Sequence, residues 1–211
     1  VDLETHDPDL KTHGSGAIVG KGKVCGIAVA YRDEKYYFPI AHLYSGQNLG
    51  KNTTWKVLNK KIFQNEKVTK VFHNAMYDVC WIRAATGMML KGPVYDTMIA
   101  ASIIDENRQK YSLDSLAKDY LNDNKYKYDL TDKAKELHGI SDPMTNMHKL
   151  PYDLVADYAE QDVLLTLRLW NKFEKIIKTP INTESKSKKT LENIFDIETR
   201  LFPCLVEMRF L

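Results

Sequence analysis

The sequence has few cysteines, no long apolar run and almost no excess of charge, and each shortage excludes a class of protein. Its 3 cysteines, Cys25, Cys80 and Cys204, lie far apart. They have neither metal-ligand spacing nor the even count of a disulfide framework, so they are expected to be small apolar residues in a reducing compartment. No apolar stretch approaches the roughly 20 residues of a membrane span, and no signal-peptide pattern opens the chain. The expectation is a cytoplasmic location with no membrane partner. The 30 Lys and Arg against 28 Asp and Glu leave a net charge of +2. That excludes a histone-like tail or an acidic disordered segment, but not nucleic-acid binding, which needs only a local basic face. Internal repeats are absent too.

What is present is a globular balance: 44% hydrophobic and 27% charged residues over 211 positions. Such a length buries a sizeable core in one large domain or two small ones. Val1 to Glu4 reads as a strand end, and residues 5–22, rich in Gly, Asp, His and Pro, as a loop. Val24 to Tyr31 and Lys35 to Ile40 read as an antiparallel hairpin across a polar turn, with Pro39 favouring an edge or a strand end. A helix is predicted over Thr54 to Phe63, a short strand over Lys70 to His73, and a helix over Ala75 to Ala85 stopped by Gly87. From Asp96 onward the pattern is helical. Asp96 and Ser112 are N-cap candidates for Thr97 to Ile104 and Leu113 to Leu121. A short helix follows near Thr131 to Leu137, and the longest over Pro151 to Ile177, with Pro at its start. Residues 179–189 read as a polar linker, and Thr190 to Leu211 as a last amphipathic helix. Both ends are expected to continue in a longer protein. Strands first and helices after, with one strand–helix unit between, argue for an α/β or α+β domain around a small mixed sheet.

Three acidic motifs stand out. Asp2 and Glu4, at i and i+2 on a strand, point to one face. Two carboxylates side by side repel, and a divalent cation with oxygen ligands, magnesium or manganese, is the usual remedy. Asn74 and Asp78 follow the KVF strand, at the carboxyl end where sites gather in open α/β sheets. Tyr158 and Asp162, at i and i+4, share the helix face of Leu154, Leu165 and Leu169, and an aspartate in an apolar stripe is costly unless paired, hydrogen-bonded or on a metal. Each motif has a plainer reading: a surface D-x-E, a helix cap with a first-turn acid, an aspartate paired at the stripe's edge.

Together and in this order, D-x-E, N-x-x-x-D and Y-x-x-x-D resemble the three motifs of the DEDDy 3′–5′ exonucleases. The likeness is closest to the proofreading domain of family A DNA polymerases, especially those of bacteriophages. Val94 to Leu121, Leu150 to Trp170 and Ile194 to Leu211 resemble the segments that flank and follow those motifs. The resemblance implies an α/β, ribonuclease-H-like (DnaQ-like) fold, a central mixed β-sheet flanked by helices. It implies an exonuclease domain over residues 1–178, and over 179–211 a linker and helix leading into a polymerase domain of the same polypeptide. By the same resemblance, Asp2, Glu4, Asp78 and Asp162 would hold two divalent metal ions, Mg2+ or Mn2+, and Tyr158 would orient the attacking water. The partner would be a single-stranded DNA 3′ end, approached by Asn74 and by Thr5 and His6. A phage-encoded chain would work in the host cytoplasm.

Two other readings stand beside it: a catalytically silent exonuclease-fold scaffold or strand-binding module, and a stand-alone RNA exonuclease resembling ribonuclease D. Elsewhere, Lys125 to Tyr128 interleaves basic and aromatic residues and suits a strand-tracking surface or a plain exposed loop. Lys186, Lys188 and Lys189 read as solvated linker. His42, His138 and His148 read as surface or capping residues, and Trp55, Trp81 and Trp170 as core.

Overall fold

The hairpin written in the sequence is the spine of the sheet. In the computed structural model, which describes residues 1–43, 46–123, 130–181 and 189–211, β2 (Lys23–Tyr31) pairs antiparallel with β3 (Glu34–Pro39) through the turn at Arg32. On its other side β2 pairs antiparallel with β1 (Asp2–His6), with Asp2 opposite Ala28 and Glu4 opposite Gly26. A register shift between Glu4 and Thr5 leaves Cys25 outside the ladder. A second, parallel ladder joins β4 (Lys70–Phe72) to β5 (Val94–Asp96), Phe72 opposite Asp96. The expected mixed sheet is thus an antiparallel group of three strands and a parallel pair. They meet where the Val1 nitrogen donates to Val71 O at 2.8 Å.

The helices follow the order read from the sequence, with additions. The expected loop over 5–22 holds two one-turn helices, α1 (Leu10–His13) and α2 (Gly16–Val19). α3 (Lys51–Leu58) starts earlier than predicted and runs on as a π-helical turn (Asn59–Phe63). α4 (Ala75–Thr86) ends at Gly87 with φ of 70°, a left-handed cap that glycine adopts without strain. After β5 come α5 (Thr97–Ile104), α6 (Leu113–Leu121), α7 (Leu130–His138) and α8 (Pro143–Asn146). A 3₁₀ turn (Met147–Lys149) precedes α9 (Tyr152–Lys178), and α10 (Glu192–Arg209) closes the described chain.

The strand period divides the core. Leu3, Val24 and Ile27 face one side and pack with Trp55, Leu58 and Phe63, with Phe72, Val79 and Ile82, and with Phe202 and Val206 of α10. Ala28 faces the other side and packs on Ala159 and Val163 of α9. Beyond it, α9 buries Leu169, Trp170 and Phe173 against α5, α6 and Phe195 of α10. Tyr95, Trp170 and Phe195 form an aromatic cluster there, with the Tyr95 and Trp170 rings 4.6 Å apart. The three tryptophans are core or near-core, as read. No helix among the described residues is long and apolar enough to cross a membrane.

Two histidines depart from the sequence reading. His42 and His148, expected at the surface or as caps, are buried. The alternation rule sees only isolated polar residues here, because their partners are remote. His42 Nδ1 meets Leu150 O at 3.1 Å. A carbonyl only accepts, so Nδ1 carries the hydrogen and Nε2 accepts the Tyr37 hydroxyl at 2.7 Å. His148 stacks on His6, centroids 3.8 Å apart. His138 is exposed, as expected. Lys125 to Tyr128, Lys186 and Lys188 lie outside the described residues.

Candidate active site

Three segments remote in sequence deliver acids to one cleft. β1 turns Asp2 and Glu4 toward α9, on the face of their cross-strand partners Ala28 and Gly26. α9 answers with Tyr158 and Asp162, one turn apart on its inner face. α4 brings Asp78 from the end of β4. A cavity of about 390 Å³ is lined by Asp2, Glu4, Asp78, Tyr158 and Asp162, and by Thr5 and Asn74. Larger cavities, of about 660, 680 and 470 Å³, open elsewhere and hold none of these residues.

The electrostatics are those of an anionic cluster short of positive charge. Glu4, Asp78 and Asp162 are buried. Burial first, then the charges of Asp2 and Asp162, push the Glu4 carboxyl well above the ordinary range. Burial and Asp2 push Asp162 from 3.8 up to about 9. Asp78 rises for the same two reasons, against the N–H of Leu3, which its Oδ1 accepts at 3.0 Å. Asp2 rises by burial, opposed by a hydrogen bond from the Leu3 N–H. Glu4 Oε1 and Asp162 Oδ1 are buried with no hydrogen-bond partner. Hard oxygen donors, mutual repulsion and two orphaned oxygens fit a divalent cation. The fit is one of chemistry rather than of a closed ligand shell. Among the described residues no three His, Cys, Asp or Glu side chains converge as ligands on one point, and Asp78 is turned onto the β1 backbone.

The remaining predicted residues divide. Thr5 Oγ1 lies 2.6 Å from the Tyr77 hydroxyl, which itself donates to Asp7 Oδ2 at 3.1 Å. Tyr77 has one hydrogen, so Thr5 donates to it. Asp7 also accepts the Gly16 N–H at 3.0 Å, which ties the β1–α2 loop to α4 at the cleft. Asn74 is left-handed, with φ of 63° and ψ of 51°, and its side chain caps nothing, so the plainer reading of it as a helix cap fails. His6, expected to line the cleft, does not. It shares the Glu4 side of β1 but lies further along, under the 3₁₀ turn, where His148 covers it.

Sequence reasoning missed several residues here. Tyr77 sits between two named motif residues and its spacing was its signal. Met147 and Leu10 line the cavity and give it an apolar wall. Asp114, at the start of α6, adds a charge felt by both Tyr158 and Asp162, and no local pattern announces that.

Residues 1–178 match the family model of the 3′–5′ exonuclease domain of family A DNA polymerases. DNA polymerase I of Pseudomonas aeruginosa is 29% identical over 164 residues, 74% of this chain and 17% of that protein. DNA polymerase DpoZ of Acinetobacter phage SH-Ab 15497 is 35% identical over 162 residues, 75% of this chain and 23% of that protein. The DNA-directed DNA polymerase of Pseudomonas phage M6 is 30% identical across 99% of this chain and 30% of that protein. The chain thus spans less than a third of these relatives. Among solved structures, Brucella melitensis NrnC with bound Mg2+ superposes with a TM-score of 0.63 at 17% identity, covering 98% of this chain and 82% of that one. That likeness shows the fold, which is ribonuclease-H-like. From its three motifs, its fold and the match over residues 1–178, the chain belongs to the 3′–5′ exonuclease family of the family A DNA polymerases.

Proposed function

We propose that the chain hydrolyses the 3′-terminal phosphodiester of single-stranded or frayed DNA, releasing nucleoside 5′-monophosphates, as the proofreading domain of a family A DNA polymerase. The observation that carries this reading is the convergence of Asp2, Glu4, Asp78 and Asp162 on one cleft, with two carboxylate oxygens buried and unpaired. Asp2, Glu4 and Asp162 would hold one cation, and Asp2 with Asp78 a second. When bound, magnesium or manganese supplies a water acidic enough to attack at neutral pH and stabilisation for the departing 3′ oxygen.

The chain's own residues do the rest. Tyr158 orients the attacking water together with Glu4. Its phenol is no general base, because burial and the charge of Glu4 hold its proton more tightly than the ordinary pKa of about 10. Asn74 and Thr5 border the cleft where the terminal nucleotide enters, and Met147 and Leu10 offer apolar surface for its base. An unpaired 3′ end leaves its terminal base free to meet that apolar wall, and is the substrate this reading names. Residues 179–211 form the junction to a polymerase domain. The row Ile194, Ile197, Leu201, Leu205 and Met208 along α10 is exposed and supports a further partner on that face. The place of action is the cytoplasm, that of the host if the gene is a phage's.

A second reading, a free-standing exonuclease acting on short oligonucleotides, is favoured by one observation. The likeness to NrnC, one structure of which is bound to pGG, runs over 98% of this chain, α10 included. The last helix is therefore no mark of a polymerase by itself. The silent-scaffold reading has no lost acid to support it.

Product analysis tests the proposal. A 3′-labelled single-stranded DNA incubated with the protein and Mg2+ is expected to release labelled nucleoside 5′-monophosphate, faster than from a blunt duplex. Release of internal fragments or 3′-phosphates contradicts the reaction, and faster cleavage of a ribo-oligonucleotide of the same sequence transfers the case to the second reading.

A further inference from the structure

The junction between β4 and α4 carries Asn74 and aims Asp78, and the N–H groups of Asn74 and Ala75 there are satisfied from outside it. Asn74 is left-handed and its side chain makes no capping bond. The groups that hold it come from one dipeptide at the end of β5, Asp96-Thr97. Asp96 Oδ1 accepts the Asn74 N–H at 3.0 Å, and Oδ2 accepts the Ala75 N–H at 2.7 Å. Oδ1 also accepts the Met98 N–H at 2.8 Å, the ordinary N-cap bond of α5. Thr97 Oγ1 donates to Phe72 O at 3.1 Å and lies 2.9 Å from His73 Nδ1. Four consecutive residues, Phe72 to Ala75, are thus each bonded to Asp96 or Thr97. Both side chains are buried.

We infer that Asp96, with Thr97 beside it, is a positioning residue of the nuclease site. It acts through Asn74 and α4, and its carboxylate is shared between the first N–H groups of two helices. The left-handed turn at Asn74 costs an L-residue energy and persists only when its surroundings impose it. The Asp96 carboxylate imposes it, with charge-assisted bonds to two successive N–H groups at the positive end of α4. That turn frees the Asn74 side chain for the cleft. It also sets the start of α4, so that Asp78, one turn on, reaches the N–H of Leu3 beside Asp2. The parallel register of Phe72 against Asp96 makes this possible, because it ends both strands at one level. The inference rests on the reading of this cleft as the nuclease centre.

The test compares three variants with the unaltered chain. Asp96→Ala removes both acceptors. Asp96→Asn keeps an oxygen for Asn74 and Met98 but turns an amide toward Ala75. Ser112→Ala removes an N-cap of α6, whose hydroxyl accepts from Ser115 N and takes no part in the cleft. Each is assayed well below its melting temperature, for kcat and KM on single-stranded DNA. The Mg2+ concentration that half-saturates the rise in melting temperature is read as well, since that needs no turnover. Asp96→Ala is expected to lose about tenfold or more in kcat and to raise the Mg2+ midpoint by a similar factor. Asp96→Asn is expected to fall between it and the unaltered chain. Ser112→Ala is expected to lower the melting temperature with both readouts unchanged. If Asp96→Ala lowers only the melting temperature, as Ser112→Ala does, the residue is a plain cap and the inference fails. If Asp96→Ala does not fold, Asp96→Asn decides on the same two readouts. An unaltered chain that binds Mg2+ but does not cleave overturns the proposed function, and leaves the Asp96 inference to be judged on the Mg2+ midpoint.

Discussion

Asp162 enters a helix face whose next turns, Leu165 and Leu169, are wholly buried. Its carboxyl is pushed from 3.8 up to about 9 by burial and by Asp2, and that shift has a sign for stability. The unfolded chain releases this proton near pH 4, whereas the folded chain keeps it to about pH 9. Over that window the folded state binds more protons, so stability falls as pH rises. Glu4 and Asp78, shifted the same way, add to the slope. In chelator the melting temperature is therefore expected to drop as pH rises through this window. Asp162→Asn should flatten the drop, and Mg2+ should remove most of it by favouring the charged forms. A melting temperature in chelator that is level or rising across the window contradicts the account. Tyr158 allows a cleaner separation of catalysis from stability. Tyr158→Phe is expected to lower kcat about tenfold while leaving Mg2+-induced stabilisation intact, and an unchanged kcat removes Tyr158 from the water's path.

At the scale of elements, the sheet leaves no room for a side chain at one point beside the acids. Gly26 on β2 lies opposite Glu4, and a Cβ there would come within 1.9 Å of the Tyr37 hydroxyl. That hydroxyl is held by His42. Gly26→Ala is expected to destabilise the domain by about 1–3 kcal/mol, read as a lower urea midpoint; an unchanged midpoint means the hairpin gives way freely. The long elements were legible because their periods are strong. The pattern of apolar residues places α9 and its Tyr158–Asp162 face within a residue of the observed helix, and Gly87 stops α4 where expected. β5 was not legible. It is three residues long and passes directly into a helix, so no alternation develops, and Asp96 reads only as the cap of α5. Its second role toward Asn74 needs the parallel register of β4 and β5. The His6–His148 stack is invisible in the same way, since 142 positions separate two residues that each look isolated.

Across the whole molecule, the first strand and the last helix share a core: Leu3 packs in one cluster with Phe202 and Val206. Arg83 of α4 adds an ion pair to Glu207 at 2.8 Å and stacks over Phe210. α10 thus has one face built into the domain and one face bare. Phe202→Ala is expected to cost about 3–5 kcal/mol, whereas Ile197→Lys, on the bare face, should stay within about 0.5 kcal/mol. Equal losses, measured by urea denaturation of the isolated chain, mean that the exposed row belongs to the core. The family could be read from three short motifs in order. The placing of Thr5 on Tyr77, and of Asp114 near Asp162, could not, because each joins elements that only the fold brings together. The central claim is that the acids of β1, α4 and α9 form one cation-dependent nuclease centre. Its most direct test is digestion of a 5′-labelled single-stranded DNA, with Mg2+ and with chelator, beside the folded Asp2→Ala/Glu4→Ala variant. The account predicts a ladder shortening from the 3′ end with Mg2+ alone and none from the variant. A ladder that survives chelation, or that the double variant still produces, contradicts it.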